Sequence, residues 1–242
     1  EYYMGEGVKP SNVYKMILAY ALWSKTHYKK FEEFDGIKIA DILKKLEKGK
    51  LPTKAIEHSI PEWLAETLEK ELGKGWEKEM IALNEKAPTV LRANTLKTTA
   101  KHLVEELKHE GVECFTIQGY PDAVQLEEKK NVFLTSAFKD GMFEVQDASS
   151  QRIGLHLDVK EGMRVVDACA GAGGKTLHLA ALMKNKGQIV ALDIFEWKLA
   201  ELKRRAKRAG AHNIEARMIS DNKVIKRLYD KADRLLIDAP CS

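Results

Sequence analysis

Apolar residues in the first part of the chain recur at the three- and four-residue spacing of amphipathic helices. We predict helices over residues 11–27, 37–46, 59–73 and 76–87. The third begins with a capping box, in which Ser59 and Glu62 satisfy free backbone N–H groups, and Pro61 occupies its first turn. Residues 1–87 are therefore expected to form a helical N-terminal region.

The pattern changes at residue 88, where short segments with strand-like alternation replace the helical spacing. The predicted strands are TVLRAN, VECFTIQG, DAVQLE and MFEVQD. Thr98 or Thr99 caps a helix between the first two strands, and Gly111 ends that helix. This order of one strand, one helix and three strands predicts a small α+β unit of the ferredoxin-like kind over residues 88–146.

From residue 147 onwards, apolar strands alternate with amphipathic helices. The segments MRVVDAC, QIVALDI and RLLIDAP are almost wholly apolar, as strands covered by helices on both faces must be. Residues 147–242 are therefore predicted to form a doubly wound, Rossmann-like parallel sheet of the α/β class. In such sheets ligands bind at the carboxyl ends of the strands, near the switch in strand order.

Composition sets limits on the function without defining it. The 242 residues include 40 Lys and Arg against 36 Asp and Glu, so the net charge of +4 permits nucleic-acid binding without requiring it. Three cysteines are too few for a disulfide framework, and no Cys or His cluster has the spacing of a metal site. No apolar run reaches the roughly 18 residues of a membrane-spanning helix, and no signal peptide is visible. We expect a cytoplasmic protein.

The segment DACAGAGGKT, residues 167–176, places a glycine-rich loop between a strand and a helix, where the backbone can approach a ligand. Three ligands compete for such a loop. A phosphate-binding Walker A motif requires Gly where Cys169 stands, and the dinucleotide fingerprint requires a third Gly where Thr176 stands. The third ligand is S-adenosylmethionine, which carries no phosphate.

Acidic residues follow the next two strands at the same edge of the sheet. Asp193 lies twenty positions after Gly173 and can accept both hydroxyls of an unphosphorylated ribose. That suits the adenosine of either NAD or S-adenosylmethionine. Asp221, just beyond the third strand, is a candidate partner of the adenine amino group or, alternatively, a turn or helix-capping residue.

The fourth strand ends in DAPCS, which brings Asp238 and Cys241 to the same crevice. Beside Lys175, the Cys241 thiol is either a reactive group that acts as nucleophile, acid or base, or a buried structural thiol. Cys169 has no evident chemical partner, and Cys114 falls in a candidate strand and is expected in the core.

DACAGAGGKT, ALDI and LLIDAPCS resemble, in order and spacing, three motifs of the Sun/Fmu family of S-adenosylmethionine-dependent RNA (cytosine-5) methyltransferases. SIPEWL, LRANTLKTT and FEVQDASSQ are similar to upstream segments of that family, so the resemblance covers residues 57–242. The chain departs from the family at Ala172, where the family usually has Pro. The loss of Pro should loosen the loop but leaves its backbone donors available.

The resemblance implies S-adenosylmethionine as the cofactor. It implies a cofactor-binding set formed by Cys169, Ala170, Gly171, Ala172, Gly173, Gly174, Lys175, Asp193, Asp221 and Asp238. It also implies Lys175, Asp238 and Cys241 as catalytic residues. In the family's chemistry a thiolate adds to carbon 6 of cytosine, which makes carbon 5 nucleophilic, and the thiol leaves after carbon 5 has been methylated and has lost its proton.

Two roles stay open for Cys241. It matches the family's cysteine that assists release of the methylated product, whereas the family's nucleophile lies in a Thr-Cys-Ser motif one strand later. In DNA cytosine methyltransferases, however, the thiol of the Pro-Cys motif is itself the nucleophile. The apolar strand RLLIDAP, at the edge of the predicted sheet, further leads us to expect that the polypeptide continues beyond Ser242.

RNA is the expected partner of a monomeric, metal-free enzyme. Arg92 and Asn94 in LRANTLKTT are the predicted RNA contacts, whereas the basic stripe of helix 196–210 is interpreted as a solvated outer face. The predicted function is formation of 5-methylcytosine in RNA, with ribosomal RNA as the substrate. The alternatives are an RNA-binding or ribosome-assembly protein that keeps the pocket without catalysis, and a methyltransferase acting on transfer RNA or another substrate.

Overall fold

The computed structural model describes residues 13–24, 32–47 and 53–239. The chain forms two compact units, Glu1–Lys86 and Ala87–Ser242. The regions predicted as a small α+β unit and as a Rossmann-like sheet lie together in the second unit. The predicted ends of the first helix and Cys241 lie outside the described residues.

The described part of the first unit is helical. Its helices are α1 (Val13–Trp23), α2 (Ile39–Glu47), α3 (Lys54–Glu57), α4 (Glu62–Leu72) and α5 (Trp76–Asn84). Trp76 and Met80 of α5 pack with Ala55 and Ala65 in a small core. In the described ranges, no helix combines the length and the apolar composition needed to cross a membrane.

The predicted capping box at the start of α4 is wrong. Pro61 holds the N-cap position without a side-chain cap, and Ser59 has φ +59° instead of capping the helix. The Glu62 carboxylate accepts a hydrogen bond from Thr53 Oγ1 at 2.6 Å. Thr53 also caps α3, by accepting a hydrogen bond from the N–H of Ile56. The apolar spacing of the sequence did not indicate this short helix.

The second unit begins with an antiparallel sheet in the order β2-β3-β1-β4. Its elements are β1 (Val90–Ala93), α6 (Ala100–His109), β2 (Cys114–Thr116), β3 (Ala123–Leu126), α7 (Ser136–Lys139) and β4 (Phe143–Val145). Leu91, Leu103 and Phe143 are fully buried between this sheet and its helices. Thr99 caps α6. The strand order and the two crossing helices confirm the predicted ferredoxin-like arrangement.

The second sheet is parallel, in the order β7-β6-β5-β8. Its elements are α8 (Ala148–His156), β5 (Arg164–Asp167), α9 (Gly174–Leu182), β6 (Gln188–Asp193), α10 (Glu196–Ala209), β7 (Ile214–Met218), α11 (Asn222–Lys226) and β8 (Arg234–Leu236). The chain order reverses between β5 and β8, which is where ligands bind in open α/β sheets. The predicted Rossmann-like fold class is confirmed.

The two sheets of this unit meet at the C-terminal end of α10. Asn94 Nδ2 donates to the carbonyl oxygens of Gly141 and Ala209, at 2.8 Å each. Lys97 Nζ donates to the Arg208 carbonyl at 2.8 Å. A Cβ atom on Gly141 would lie 2.1 Å from that same carbonyl oxygen, so only glycine permits this approach. The small sheet thereby satisfies helix-end carbonyls that α10 leaves free.

His178 of α9 is a buried histidine at the contact between α8 and α9. Its side chain is 2% exposed, and neither ring nitrogen has a hydrogen-bond partner among the described residues. A Cβ atom on Gly154 of α8 would lie 2.5 Å from His178 Nδ1. Burial, together with the positive charge of Arg92, lowers the pKa of His178 to about 3. The ring is therefore neutral in the folded protein.

We expect the free energy of unfolding to decrease as the pH is lowered, because His178 is buried in its neutral form. Its folded pKa of about 3 lies below its ordinary value of 6.5, so only the unfolded chain takes up a proton between these values. The stability present above pH 6.5 is lost as the pH falls, by about 1.4 kcal/mol per pH unit. Urea unfolding of His178→Leu over this range should lack this one-proton slope.

The exposed His212 supplies the control for this prediction. His212→Leu should keep the wild-type dependence on pH, because it leaves the buried His178 in place. Equal pH slopes in wild type and His178→Leu would contradict the assignment of a neutral buried His178.

Candidate functional site

The glycine-rich loop lies at the carboxyl end of β5, where the switch in strand order predicts a ligand site. Gly171 and Gly173 have φ of +54° and +89°, a region that favours glycine. A Cβ atom on Gly173 would lie 2.1 Å from the side chain of Leu202, so a larger residue there would force Leu202 to move. Gly173 is the N-cap residue of α9, and the loop therefore delivers the free N–H groups of that helix to the edge of the sheet.

A pocket of about 340 Å³ opens beside this loop, a volume in the range of small-molecule sites. Three segments line it: the start of α8, the glycine-rich loop, and the chain after β8. The lining residues are Gln146, Asp147, Ser150, Asp167, Cys169, Ala170, Gly171, Gly174, Lys175 and Asp238. Six of them belong to the cofactor-binding set implied by the resemblance, so the structure brings most of that set together.

Asp193 ends β6 next to the loop and is 8% exposed. Its Oδ2 accepts a hydrogen bond from the Gly171 N–H at 2.9 Å, and its Oδ1 accepts one from the Phe195 N–H at 2.9 Å. Each carboxylate oxygen keeps a further lone pair. Asp193 is therefore fixed in orientation and still able to accept two hydroxyl groups, as a ribose site requires.

Lys175 and Asp238 form an ion pair at the edge of the pocket, with Lys175 Nζ 2.5 Å from Asp238 Oδ2. The Lys175 side chain is 17% exposed and the Asp238 side chain 47%. Strand register explains the pairing: Leu236 of β8 lies beside Asp167 of β5, so Asp238 follows at the height of the loop. The pair places one cation and one carboxylate where a ligand in the pocket can meet both.

Two buried oxygen atoms of the pocket have no hydrogen-bond partner of good geometry among the described residues: Gln146 Oε1 and Asp167 Oδ1. The other Asp167 oxygen accepts a hydrogen bond from Thr176 Oγ1 at 2.7 Å. Burial raises the pKa of Asp167, while the hydrogen bond from Thr176 and a weaker one from the backbone N–H of Cys169 act in the opposite direction. Two unsatisfied acceptors in a polar pocket favour a ligand with several N–H donors, such as an ammonium group.

Cys169 lines the pocket as a thiol. Burial raises its pKa, and the negative charges of Asp167, Asp193 and Asp238 raise it further. Because the thiolate is the nucleophilic form, this environment makes Cys169 a poor nucleophile. Cys114 is fully buried in the core of the small sheet, as expected from its place in a strand.

Arg92 and Asn94, the predicted RNA contacts, are 1% and 4% exposed. Arg92 lies beside Glu144 across β1 and β4, and burial lowers its pKa to about 10. Asn94 binds the end of α10, as described above. Their burial argues against RNA contacts, and a strand sequence by itself carries no signal that other elements of the fold will cover it.

The remaining predicted residues have separate positions. Asp221 is the exposed N-cap residue of α11, where its carboxylate accepts a hydrogen bond from the Lys223 N–H at 2.7 Å. Of the two roles considered for Asp221, the structure thus shows the helix-capping one. Cys241 lies outside the described residues. Within the described ranges, no group of three or more His, Cys, Asp or Glu side chains has an arrangement that holds a metal ion.

Sequence reasoning missed four lining residues: Gln146, Asp147, Ser150 and Asp167. FEVQDASSQ contains the first three and was noted only as a similarity to family segments. A polar run directly before a helix start is a usable signal, since Asp147 caps α8 through the N–H groups of Ser149 and Ser150. That the small sheet brings this helix start to the pocket could not be seen along the chain.

Comparison with known families gives two matches. Residues 154–242 match the family described as "16S rRNA methyltransferase RsmB/F". Residues 60–133 match the family described as "Methyltr_RsmF/B-like, ferredoxin-like domain". The two matches follow each other along the chain and correspond to the parallel and antiparallel sheets.

Among curated proteins, the chain is 35% identical over 190 residues to the probable ribosomal RNA small subunit methyltransferase B of Bacillus subtilis, which covers 78% of this chain and 42% of that protein. It is 32% identical over 185 residues to ribosomal RNA small subunit methyltransferase B of Klebsiella pneumoniae, with coverage of 75% and 42%. The chain thus spans less than half the length of these relatives.

Among solved structures, a methyltransferase homolog protein from Pyrococcus horikoshii superposes with a TM-score of 0.70 at 30% sequence identity. The superposition covers 78% of this chain and 62% of that one. This chain therefore shares its fold with a methyltransferase homolog protein.

We expect Asp193→Ala to weaken binding of S-adenosylhomocysteine, the product form of the expected cofactor, by about 1–3 kcal/mol, because ribose hydroxyl groups lose their acceptor. Isothermal titration calorimetry measures this loss.

The matched control for this variant is Asp233→Ala. Asp233 Oδ2 accepts a hydrogen bond from the Arg164 N–H at 2.7 Å, at the amino end of β5, so it has the same kind of backbone bond at the opposite edge of the sheet. Asp233→Ala should bind S-adenosylhomocysteine like the wild type. Equal losses in the two variants would assign the effect to stability and refute the ribose contact.

Proposed function

Because the chain is a member of the RsmB/F (Sun/Fmu) family of S-adenosylmethionine-dependent RNA methyltransferases, we propose that it carries the cofactor-binding and base-contacting part of an enzyme that forms 5-methylcytosine in ribosomal RNA. The observation that carries the proposal is the pocket at the carboxyl end of β5, with its glycine loop, its ion pair and its two unsatisfied acceptors. The names of the relatives point to RNA of the small ribosomal subunit as the substrate.

The residues present fit S-adenosylmethionine better than a nucleotide carrying phosphates. Gln146 Oε1 and Asp167 Oδ1 are free to accept from the ammonium group of its amino-acid end, and Asp193 is free to accept from its ribose hydroxyls. Bound there, the sulfonium group supplies the methyl group. The carboxylates of Asp167, Asp193 and Asp238 would repel phosphate groups, since like charges at short range are unfavourable.

Lys175 and Asp238 are the residues that we propose contact the target base. A lysine ammonium can donate to an acceptor on the base edge, and a carboxylate can accept from an exocyclic amino group such as that of cytosine. The ion pair holds both groups at the edge of the pocket in the absence of a base. A base reaches this position only after leaving its stack, because the reacting carbon must face the pocket.

We propose Cys241 as the thiol that assists release of the methylated base. It comes three residues after Asp238 in the chain. Cys169, the thiol that lines the pocket, has a raised pKa and is a poor candidate for covalent chemistry. The finer features of the expected protein, a monomer in the cytoplasm, remain predictions.

The intact polypeptide, incubated with small-subunit ribosomal RNA and methyl-labelled S-adenosylmethionine, should place label on carbon 5 of a cytosine, which bisulfite sequencing locates. Transfer RNA serves as the competing substrate. Label in transfer RNA alone would refute ribosomal RNA as the substrate, and RNA binding without any label would indicate an assembly protein without catalysis.

The same assay tests Cys241. Cys241→Ala should accumulate a covalent protein–RNA adduct on a denaturing gel, because the nucleophilic thiol of the separate Thr-Cys-Ser motif that the resemblance implies still attacks the base while release fails. Cys114→Ala, which changes a thiol in the core of the small sheet, should form no lasting adduct. Absence of the adduct together with loss of methylation in Cys241→Ala would instead make Cys241 the nucleophile.

A further inference from the structure

A buried carboxylate joins the small sheet to α10. Glu144 of β4 is 4% exposed and accepts hydrogen bonds from two arginines of α10. Arg205 donates to Glu144 Oε2 from Nε at 3.2 Å and from Nη2 at 2.8 Å, and Arg208 Nη2 lies 2.5 Å from Oε1. Charge-assisted bonds of this forked kind fix the orientation of a guanidinium group.

Arg205 has a second contact that Arg208 lacks. Its Nη1 donates to the carbonyl oxygen of Ala172 at 2.8 Å, in the middle of the glycine-rich loop. One guanidinium therefore uses three nitrogens to connect the small sheet to the loop. Arg208 instead lies over the ring of Phe138, with its Cζ 3.9 Å from the ring centroid.

The loop needs such a restraint. Ala172 lies between Gly171 and Gly173, the two residues with positive φ, and an alanine does not fix its own φ as a proline would. Backbone hydrogen bonds also restrain the loop: the N–H of Ala170 donates to the Leu192 carbonyl at 2.8 Å, the N–H of Gly171 donates to Asp193, and the N–H of Gly173 donates to the Ala170 carbonyl at 2.9 Å. None of these bonds uses the carbonyl of Ala172. The bond from Arg205 holds its centre.

We propose that Arg205 is a positioning residue for the cofactor. Clamped by Glu144, it fixes the Ala172 carbonyl and thereby the course of the loop that lines the pocket. The proposal rests on the proposed function, in that the ligand positioned is S-adenosylmethionine. It gives the ferredoxin-like sheet a part in cofactor binding, because that sheet supplies the carboxylate that orients Arg205.

Arg205 and Arg208 offer a matched pair of variants. Arg205→Met and Arg208→Met each leave Glu144 paired with one arginine, so neither strands a buried charge. Only Arg205→Met removes the bond to Ala172. We expect it to weaken binding of S-adenosylhomocysteine about tenfold, as the loss of one charge-assisted bond predicts. Arg208→Met should bind within about twofold of the wild type, although its melting temperature falls.

Amide hydrogen exchange of the free chain gives a second readout. Exchange at residues 171–174 should be faster in Arg205→Met than in Arg208→Met. Arg205→Lys keeps the positive charge beside Glu144 but cannot fork to both partners, so it should melt near the wild-type temperature and still bind the ligand weakly.

The outcomes separate this inference from the proposed function. If the wild type binds no S-adenosylhomocysteine, the proposed function fails, and the exchange comparison still tests the restraint on the loop. Equal exchange in Arg205→Met and Arg208→Met, or wild-type affinity in Arg205→Met or Arg205→Lys, would overturn the positioning role.

Discussion

Glu144 is a carboxylate placed almost entirely out of water, and the arrangement of the second unit depends on its neutralisation. A buried charge is tolerated only when it is paired, and both of its partners lie on one turn of α10. The antiparallel sheet docks at the end of that helix, where both arginines lie. Asn94 and Lys97 donate hydrogen bonds to the last carbonyls of the same helix, and these bonds fix the orientation of the sheet against it. Because α10 follows Asp193 and contacts the glycine-rich loop, this docking brings the chain after β4, with Gln146 and Asp147, to the wall of the pocket.

The chemistry of the pocket follows from this wall. The start of α8, which follows the antiparallel sheet, contributes Gln146 and Asp147, and β5 contributes Asp167. With Asp193 and Asp238, the site is rich in acceptors and has one nearby cation, Lys175. Such a site suits a ligand with an ammonium group and free hydroxyls and disfavours one with phosphates. The glycine-rich loop alone does not make this distinction, since loops of this kind serve phosphates in other folds.

Local chain information predicted the parts of the site that follow from one strand and the loop after it. Asp193 and Asp238 could be placed because the carboxyl ends of parallel strands share one edge, and Gly173 because a strand-to-helix turn needs a left-handed residue. The burial of Asn94 could not be foreseen, since it depends on a helix more than a hundred positions away. Nor could that of Arg92, whose strand alone does not show that it lies inside the fold. The pair of Glu144 and Arg205 likewise joins residues far apart in the chain. The capping box predicted at Ser59 failed for a local reason, because Thr53 is the hydrogen-bond partner of Glu62. Patterns along the chain identify elements and their ends, whereas the side chains that join distant elements emerge only in three dimensions.

The central claim is that the acceptor-rich pocket binds S-adenosylmethionine. Titration calorimetry of the chain with S-adenosylmethionine, NAD and ATP, each under the same buffer and salt, tests it most directly. The account predicts one saturable site for S-adenosylmethionine and binding of NAD and ATP that is at least about tenfold weaker, because their phosphates meet three carboxylates. Tighter binding of NAD or ATP than of S-adenosylmethionine would contradict it.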